Sequence, residues 1–172
     1  MCHPSPSAQD FLNEARQRSY DTILADPPWQ WSNRTGKMAP EYRHLSRYPT
    51  LMLQAINAIP LVAVAVAQSR FYLWMPNALL RERLEVIEAW GFQYKTNLIW
   101  HKIRKDGGPD GRGVGFYFRN TTEMVFFGVR RQLRPLTSRR THINVIKTQQ
   151  RGHSHSPNEL YAIIEARSPG PF

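Results

Sequence analysis

One stretch decides the fold of this 172-residue chain: Tyr20-Asp21-Thr22-Ile23-Leu24-Ala25-Asp26-Pro27-Pro28-Trp29. Its first six residues form a short, mostly apolar run of the kind found in buried strands. The two prolines must end that strand, because proline has no N–H for a ladder hydrogen bond and restricts the residue before it. Asp26 is therefore predicted at the carboxyl end of a buried strand.

Strands and helices alternate along the rest of the chain. We predict strands over residues 71–75, 96–100, 124–129 and 144–147, and helices over residues 50–58, 76–90 and 157–166. We expect Thr50 to cap the first helix and Gly91 to stop the second, with Leu80, Leu84 and Ile87 facing a sheet. This order predicts one α/β domain with a largely parallel sheet over residues 20–172, preceded by a flexible start with a short helix in residues 1–19.

The charge distribution indicates a polyanionic partner. Lys and Arg number 23 against 13 Asp and Glu, a formal net charge of +10. Between residues 124 and 158 there is no acidic residue, while seven cations fall in that window: Arg130, Arg131, Arg134, Arg139, Arg140, Lys147 and Arg151. The window is either a surface that follows nucleic-acid phosphates or a solvated loop face.

The remaining composition narrows the class of protein. Cys2 is the only cysteine, so neither a disulfide framework nor a cysteine-based zinc site can form within one chain. The longest apolar stretch, residues 61–67, is too short to cross a bilayer, and we see no secretory leader. We therefore expect a cytoplasmic protein with no membrane contact; a homodimer or heterodimer is compatible with the sequence.

The Asp-Pro-Pro-Trp motif suits chemistry on an exocyclic amine. The Asp26 carboxylate can accept one amine hydrogen and the backbone carbonyl of Pro27 the other, which would direct the nitrogen lone pair at an electrophilic methyl group. Pro28 would stiffen this turn, and Trp29 would offer a ring on which an extruded base could stack. We predict these four residues as catalytic, without a metal; the alternative is a Pro-Pro turn beside a core tryptophan.

Aromatic and basic residues alternate in the long segment after the motif. Such interleaving fits base stacking with phosphate contact, and the predicted substrate residues there are Trp31, Arg34, Lys37, Tyr42 and Arg43. Trp74, Trp90 and Trp100 lie in amphipathic elements and are interpreted as core or pocket wall. A glycine-rich segment, residues 107–115, and the pair His153 and His155 are interpreted as a loop and as non-ligating histidines rather than as a phosphate cradle and a metal site.

Several segments, taken in order, resemble the adenine-specific amino-methyltransferase family typified by the catalytic subunit of the eukaryotic mRNA adenosine methyltransferase, which has many bacterial and phage members. The segments that carry the resemblance are residues 23–29, Phe71-Tyr72-Leu73-Trp74, Trp90-Gly91-Phe92, Trp100-His101-Lys102, residues 113–123, His153-Ser154 and residues 157–161. The resemblance runs from about residue 20 to residue 172.

The resemblance implies a Rossmann-like S-adenosylmethionine-dependent methyltransferase fold in permuted order, acting on the exocyclic amine of adenine in nucleic acid, with DNA favoured over RNA. The cofactor-binding residues it implies are Ala25, Asp26, His153, Ser154 and Ser156. It also implies Lys102, Arg119 and Asn120 beside the substrate, to which the basic window adds Arg130, Arg131, Arg139 and Arg140 as predicted phosphate contacts.

Two departures from the family pattern motivate alternatives. Ser156 stands where the family usually has a lysine, and the sequence stops after Phe172, before the family's Leu-Glu-Leu-Phe strand. We therefore expect a C-terminally incomplete domain that lacks its last strands and has an open apolar edge. The alternative function is an inactive nucleic-acid-binding or partner-scaffolding paralogue; a third possibility is methylation of another amine, such as a glutamine side chain.

Overall fold

The computed structural model describes residues 13, 18–29, 51–75, 77–110, 117–134, 142–149 and 156–168. Five strands lie in this part of the chain: β1 (Tyr20–Ala25), β2 (Ala65–Met75), β3 (Gln93–Ile103), β4 (Thr122–Val129) and β5 (Val145–Gln149). The three α-helices are α1 (Leu53–Asn57), α2 (Leu80–Ala89) and α3 (Asn158–Arg167), and 3₁₀ helices at Leu61–Val64 and Asn77–Leu79 flank β2. Every predicted strand is confirmed. Of the predicted N-terminal helix only Asn13 is described, and it is helical.

The sheet has the strand order β1-β2-β4-β3-β5. β1 pairs parallel with β2 and β3 parallel with β5, whereas β4 runs antiparallel to both of its neighbours. Four strands thus share one direction, which confirms the predicted largely parallel sheet, and β4 is the one antiparallel strand among those described. A parallel neighbour would need a crossover connection, and the described part of the connection from β3 to β4 contains no helix, so the chain turns back. Among the described strands, β1 is at one end of the sheet.

β2 is the centre of two hydrophobic cores. Phe71, Leu73 and Met75 join the core that includes buried residues of α1 and α2, while Tyr72 and Trp74 join the core that includes buried residues of α3. Successive side chains of a strand point to opposite faces, so a strand covered on both sides is continuously apolar. This explains why Phe71-Tyr72-Leu73-Trp74-Met75 has no polar residue.

Helix α2 differs from its predicted face. Leu80 and Leu84 are 52% and 40% exposed, whereas Val86 and Ile87 are fully buried. The helix contributes buried residues to the core only from its last turns. The prediction that three residues face the sheet is therefore confirmed for Ile87 and wrong for Leu80 and Leu84.

The start of α1 and the end of α2 can be compared with the predicted helix boundaries. Gly91 stops α2 as predicted: its φ of 76° belongs to the left-handed region, and the N–H groups of Gly91 and Phe92 donate to the carbonyls of Glu88 and Ile87 over 2.9 and 3.0 Å. The predicted Thr50 cap is wrong, because α1 begins at Leu53 and its N-cap is Met52.

The three tryptophans interpreted as core or wall are all buried: Trp74, Trp90 and Trp100 are 8%, 2% and 3% exposed. Trp90 packs edge-to-face on Phe71 and donates its Nε1–H to the carbonyl of Ile56 over 2.9 Å. This bond connects α2 to α1. None of the helices in the described ranges is both long enough and apolar enough to cross a membrane.

We predict that Trp90→Phe lowers the free energy of unfolding by about 1–3 kcal/mol, because the indole hydrogen bond to the Ile56 carbonyl is lost, with the Ile59 N–H still donating to that carbonyl, and the smaller ring fills the buried site less completely. Chemical denaturation measures the change. Tyr94→Phe, which removes a hydroxyl from a half-exposed ring, is the control and should change stability by less than about 0.5 kcal/mol. Equal stability of Trp90→Phe and wild type would contradict the role of this bond.

Candidate active site

The sheet direction brings the candidate residues to one edge. β1, β2, β3 and β5 end there and β4 begins there; we call it the carboxyl edge. Asp26 follows β1 directly, Asn77 follows β2, and Lys102 and Glu123 lie near the end of β3 and the start of β4. Crevices at the carboxyl ends of strands are the usual ligand sites of open α/β sheets.

The two prolines hold the backbone after Asp26 in a tight turn. The N–H of Trp29 donates to the carbonyl of Pro27 over 2.8 Å, and the N–H of Leu51 donates to the carbonyl of Pro28 over 2.8 Å. A carbonyl oxygen has two lone pairs, so the Pro27 carbonyl can accept a second hydrogen bond. The turn therefore places one carboxylate and one fixed carbonyl side by side in sequence.

Trp29 does not have its predicted exposed face. Its side chain is 7% exposed and belongs to the core on the α1–α2 side, with Nε1–H donating to the carbonyl of Trp74 over 3.3 Å. The prediction that an extruded base stacks on this ring is wrong for the observed arrangement, because burying the large indole is favoured once its N–H has a partner. Trp29 fixes the motif to β2 instead.

Asp26 has an altered acidity although it remains accessible to solvent. Partial desolvation by the surrounding protein, with a smaller contribution from the negative charge of Glu123, raises the pKa of Asp26 to about 6. Carboxylates with raised pKa values are common at catalytic sites. The Asp26 carboxyl group is thus ionised at neutral pH, and it becomes protonated as the pH falls through about 6.

Glu123 is held by two partners. It forms an ion pair with the Nζ of Lys102 and accepts a hydrogen bond of 2.9 Å from Trp74 Nε1. Lys102 also lies 4.8 Å from the ring centroid of Trp100, which packs edge-to-face on Trp74. Since Lys102 is 15% and Glu123 29% exposed, the pair is largely shielded from water. The four side chains therefore form one connected cluster at the carboxyl edge: Trp74, Trp100, Lys102 and Glu123.

Asn77 contributes an unsatisfied acceptor. Its Nδ2 donates to the carbonyl and hydroxyl oxygens of Thr122 over 2.7 and 3.1 Å, which leaves Oδ1 buried and without a partner. Buried polar atoms are rarely left unpaired. A cofactor with hydroxyl or ammonium donors fits such an acceptor, and a sulfonium cation fits an edge that carries Asp26 and Glu123.

The predicted cofactor and substrate residues are only partly brought together. Ala25 and Asp26 lie at the carboxyl edge, and Ser156 lies just before α3. Arg119 and Asn120 are exposed in the segment that enters β4 at this edge, near Lys102. Nine predicted residues lie outside the described ranges: Trp31, Arg34, Lys37, Tyr42, Arg43, Arg139, Arg140, His153 and Ser154.

Arg130 and Arg131 are not at this edge. They follow β4, whose residue Val129 pairs with Arg70 and Gln93, and Arg130 donates to the Ala65 carbonyl over 3.2 Å. Arg130 comes seven positions after Glu123, about 23 Å at the usual rise per strand residue. The antiparallel direction of β4 therefore carries both arginines to the edge opposite Asp26, and their contact with phosphates stays a prediction for that edge of the sheet.

Sequence reasoning did not identify Glu123 and Asn77 as site residues. The available signal was a carboxylate at the start of a predicted strand, but whether that carboxylate lies near Asp26 depends on the direction of β4.

Among the described residues, no group of three or more His, Cys, Asp or Glu could hold a metal ion. In the described part of the glycine-rich segment, the Gly108 N–H donates to Asp106 Oδ1 over 2.9 Å.

Comparison with known proteins is decisive for the family. The sequence profile of the MT-A70 family matches residues 20–170, nearly all of the described chain. The chain belongs to the MT-A70 family. Membership agrees with the fold expected from the resemblance, a Rossmann-like methyltransferase sheet, and with the position of Asp26.

Individual relatives are distant in sequence. The N(6)-adenosine-methyltransferase MT-A70-like protein of Arabidopsis thaliana is 23% identical over 154 residues, which cover 88% of this chain and 20% of that protein. The human catalytic subunit METTL3 is 24% identical over 162 residues, 93% of this chain and 26% of that one. The type II methyltransferase M.MunI of Mycoplasma sp. is 22% identical over 167 residues, 87% and 66% respectively. The chain therefore spans a fifth to two thirds of the length of these relatives.

We predict that Asp26→Asn stabilises the protein in a pH-dependent way. The ordinary pKa of 3.8 is raised to about 6 in the folded protein, so the ionised form is penalised on folding. This penalty is present above pH 6, declines as the pH falls, and is absent below about pH 4, where the carboxyl group is protonated in both states. Asp26→Asn should therefore raise Tm at about pH 8 and leave it unchanged near pH 3.5.

Thermal unfolding followed by circular dichroism at both pH values measures this effect. Asp21→Asn removes a carboxylate from the other end of the same strand and controls for the general loss of negative charge. A gain in Tm for Asp26→Asn no larger than the gain for Asp21→Asn, or one that is the same at both pH values, would contradict the assignment.

Proposed function

We propose that this protein transfers a methyl group from S-adenosylmethionine to the exocyclic amine of adenine in DNA. The observation that carries the proposal is the Asp26 carboxylate placed next to the fixed carbonyl of Pro27 at the carboxyl edge. Membership of the MT-A70 family supports it, since named relatives are N(6)-adenosine methyltransferases.

Asp26 and Pro27 would act on the amine directly. Its nitrogen lone pair is delocalised into the ring, and two acceptors that hold the two hydrogens turn that lone pair out of the ring. The Asp26 carboxylate would accept one hydrogen and would take up the proton that the amine loses when it is methylated. The second lone pair of the Pro27 carbonyl accepts the other hydrogen.

S-adenosylmethionine, when bound, supplies an electrophilic methyl group on a sulfonium. Ala25 and Asp26 would hold it from the carboxyl edge, and Asn77 Oδ1 offers an acceptor for one of its hydroxyl or ammonium donors. By resemblance, His153, Ser154 and Ser156 would also contact it. Asp26 and Glu123 would attract its positive charge, while Lys102 keeps Glu123 in place.

The bacterial relative favours DNA over RNA as the substrate. M.MunI is named a type II methyltransferase, and this chain covers more of it than of the eukaryotic relatives. The net charge of +10 suits either polyanion. An RNA methyltransferase is the nearest alternative.

We predict that the purified protein, given S-adenosylmethionine and adenine-containing DNA, produces N6-methyladenine, and that Asp26→Ala lowers kcat by about 100-fold or more, because an acceptor aimed at the reacting group is lost. Mass spectrometry of digested DNA measures the product. Asp21→Ala, on the same strand, is the matched control and should retain activity. Methylation that persists in Asp26→Ala would contradict the role of Asp26.

The inactive alternative makes a different prediction. A nucleic-acid-binding or scaffolding paralogue would bind DNA but not the cofactor. Calorimetric titration with S-adenosylmethionine separates the two, because 1:1 binding by wild type rules out the alternative, whereas DNA binding without cofactor binding contradicts the proposed activity. The same assay with RNA in place of DNA tests the choice of substrate.

The charge of Glu123 should appear in the pH dependence of the reaction. Because desolvation and Glu123 raise the pKa of Asp26 to about 6, we expect kcat/KM to fall about tenfold per pH unit below that value. Glu123→Gln removes the negative charge, so the acidic limb should move to lower pH. Glu85→Gln, an exposed carboxylate on α2, is the control. A limb that stays in place would contradict the coupling between Glu123 and Asp26.

A further inference from the structure

Two adjacent aromatic side chains are unusually exposed. Tyr117 and Phe118 are 87% and 85% exposed, more than any other large hydrophobic residue in the described ranges. Single exposed apolar residues are common on protein surfaces, but contiguous apolar groups usually mark a contact site. Both residues lie in the segment between β3 and β4, outside the set of residues assigned above to the chemistry.

This aromatic pair is tied to the carboxyl edge by the chain that follows it. The Lys102 N–H donates to the Thr121 carbonyl over 2.8 Å, and Asn77 Nδ2 donates to the Thr122 carbonyl over 2.7 Å. Phe118 precedes Thr121 by three residues, so their Cα atoms are at most about 11 Å apart. Successive bases of one DNA strand are about 3.4 Å apart. Asp26 and Thr122 lie at the same edge on strands two places apart, about 10 Å at the usual strand spacing. The pair can therefore reach bases within about six steps of a nucleotide held at Asp26.

The chemistry around the aromatic pair favours a nucleobase over a protein. Arg119 and Asn120 follow it directly and are exposed, and an aromatic ring next to an arginine is suited to a stacked base and its phosphate. A second copy of this chain would bring another net charge of +10 to the surface, which opposes association. A nucleic acid brings the complementary charge.

We propose that Tyr117 and Phe118 stack on nucleobases that flank the target adenine, and so hold the strand while the adenine is at Asp26. The inference rests on the proposed function for the identity of the nucleic acid. Stacking is tolerant of sequence because every base has a π face. The aromatic pair therefore contributes affinity for the strand rather than recognition of particular bases.

The test measures binding of a fluorescein-labelled single-stranded deoxyoligonucleotide of about 20 nucleotides, longer than a typical single-strand site, by anisotropy at several salt concentrations. Tyr117→Ala and Phe118→Ala should each weaken binding by about fivefold to 150-fold, the range for loss of one stacked base. Tyr117→Leu and Phe118→Leu keep apolar bulk without a π face and should lose nearly as much, while Phe118→Trp should bind like wild type.

Salt dependence separates stacking from charge. The slope of log affinity against log salt should be unchanged in the aromatic variants and shallower in Arg119→Ala, because only the arginine can displace a counterion. Ile143→Ala, which removes a 74% exposed side chain before β5 at the opposite edge, is the control and should bind like wild type. Leucine variants that bind like wild type would overturn the proposal.

Two further outcomes separate this inference from its rivals. If the double alanine variant changes the oligomeric state in analytical ultracentrifugation and leaves DNA affinity unchanged, the surface is a protein interface and the proposal is overturned. Binding is measured without cofactor in Asp26→Asn as well as in wild type. If wild type transfers no methyl group, the proposed reaction is contradicted. If the aromatic variants of the same protein nevertheless lose DNA affinity, the stacking role of Tyr117 and Phe118 is supported.

Discussion

The hydrogen bonds of Trp74 connect the parts of the candidate site. Its indole N–H donates to Glu123, and its backbone carbonyl accepts the indole N–H of Trp29. One residue of β2 thus fixes both the turn that follows β1 and the carboxylate near the start of β4. Since Trp74 is buried in the core that also holds Trp100 and the buried residues of α3, the position of the site depends on the packing of the sheet rather than on the loops around it.

The same arrangement predicts that the site lowers the stability of the folded protein at neutral pH. Asp26 and Glu123 are two carboxylates at one edge, and in the described part of the chain the charge of Glu123 is balanced by Lys102 and by the indole N–H of Trp74. Their repulsion adds to the desolvation of Asp26. Functional sites commonly retain unfavourable electrostatics of this kind, because the groups are arranged for the reacting molecule rather than for the folded chain.

Local patterns predicted much of the fold. β1 was predictable to the residue, because a mostly apolar run ended at two prolines, and Gly91 was recognisable as a helix stop. The direction of β4 was not predictable, since nothing in the pattern of residues 124–129 records which way a strand runs. That one unknown decided the site: it brings Glu123 beside Asp26 and takes Arg130 and Arg131 away. The burial of Trp29 could not be predicted either, because an aromatic ring suits a core as well as a stacked base.

The segment between β3 and β4 is held at its two ends. Lys102 pairs with Thr121 at the backbone, and the Lys102–Glu123 ion pair lies next to that bond. Residues inserted or deleted between these anchors would leave Asp26, Glu123 and Trp74 in place, whereas a one-residue insertion within β4 would turn Glu123 to the other face of the sheet. The segment between β3 and β4 can therefore diverge in length and sequence, whereas β4 cannot. Under the proposed function, contacts with nucleotides that flank the target adenine can change here without rebuilding the chemistry.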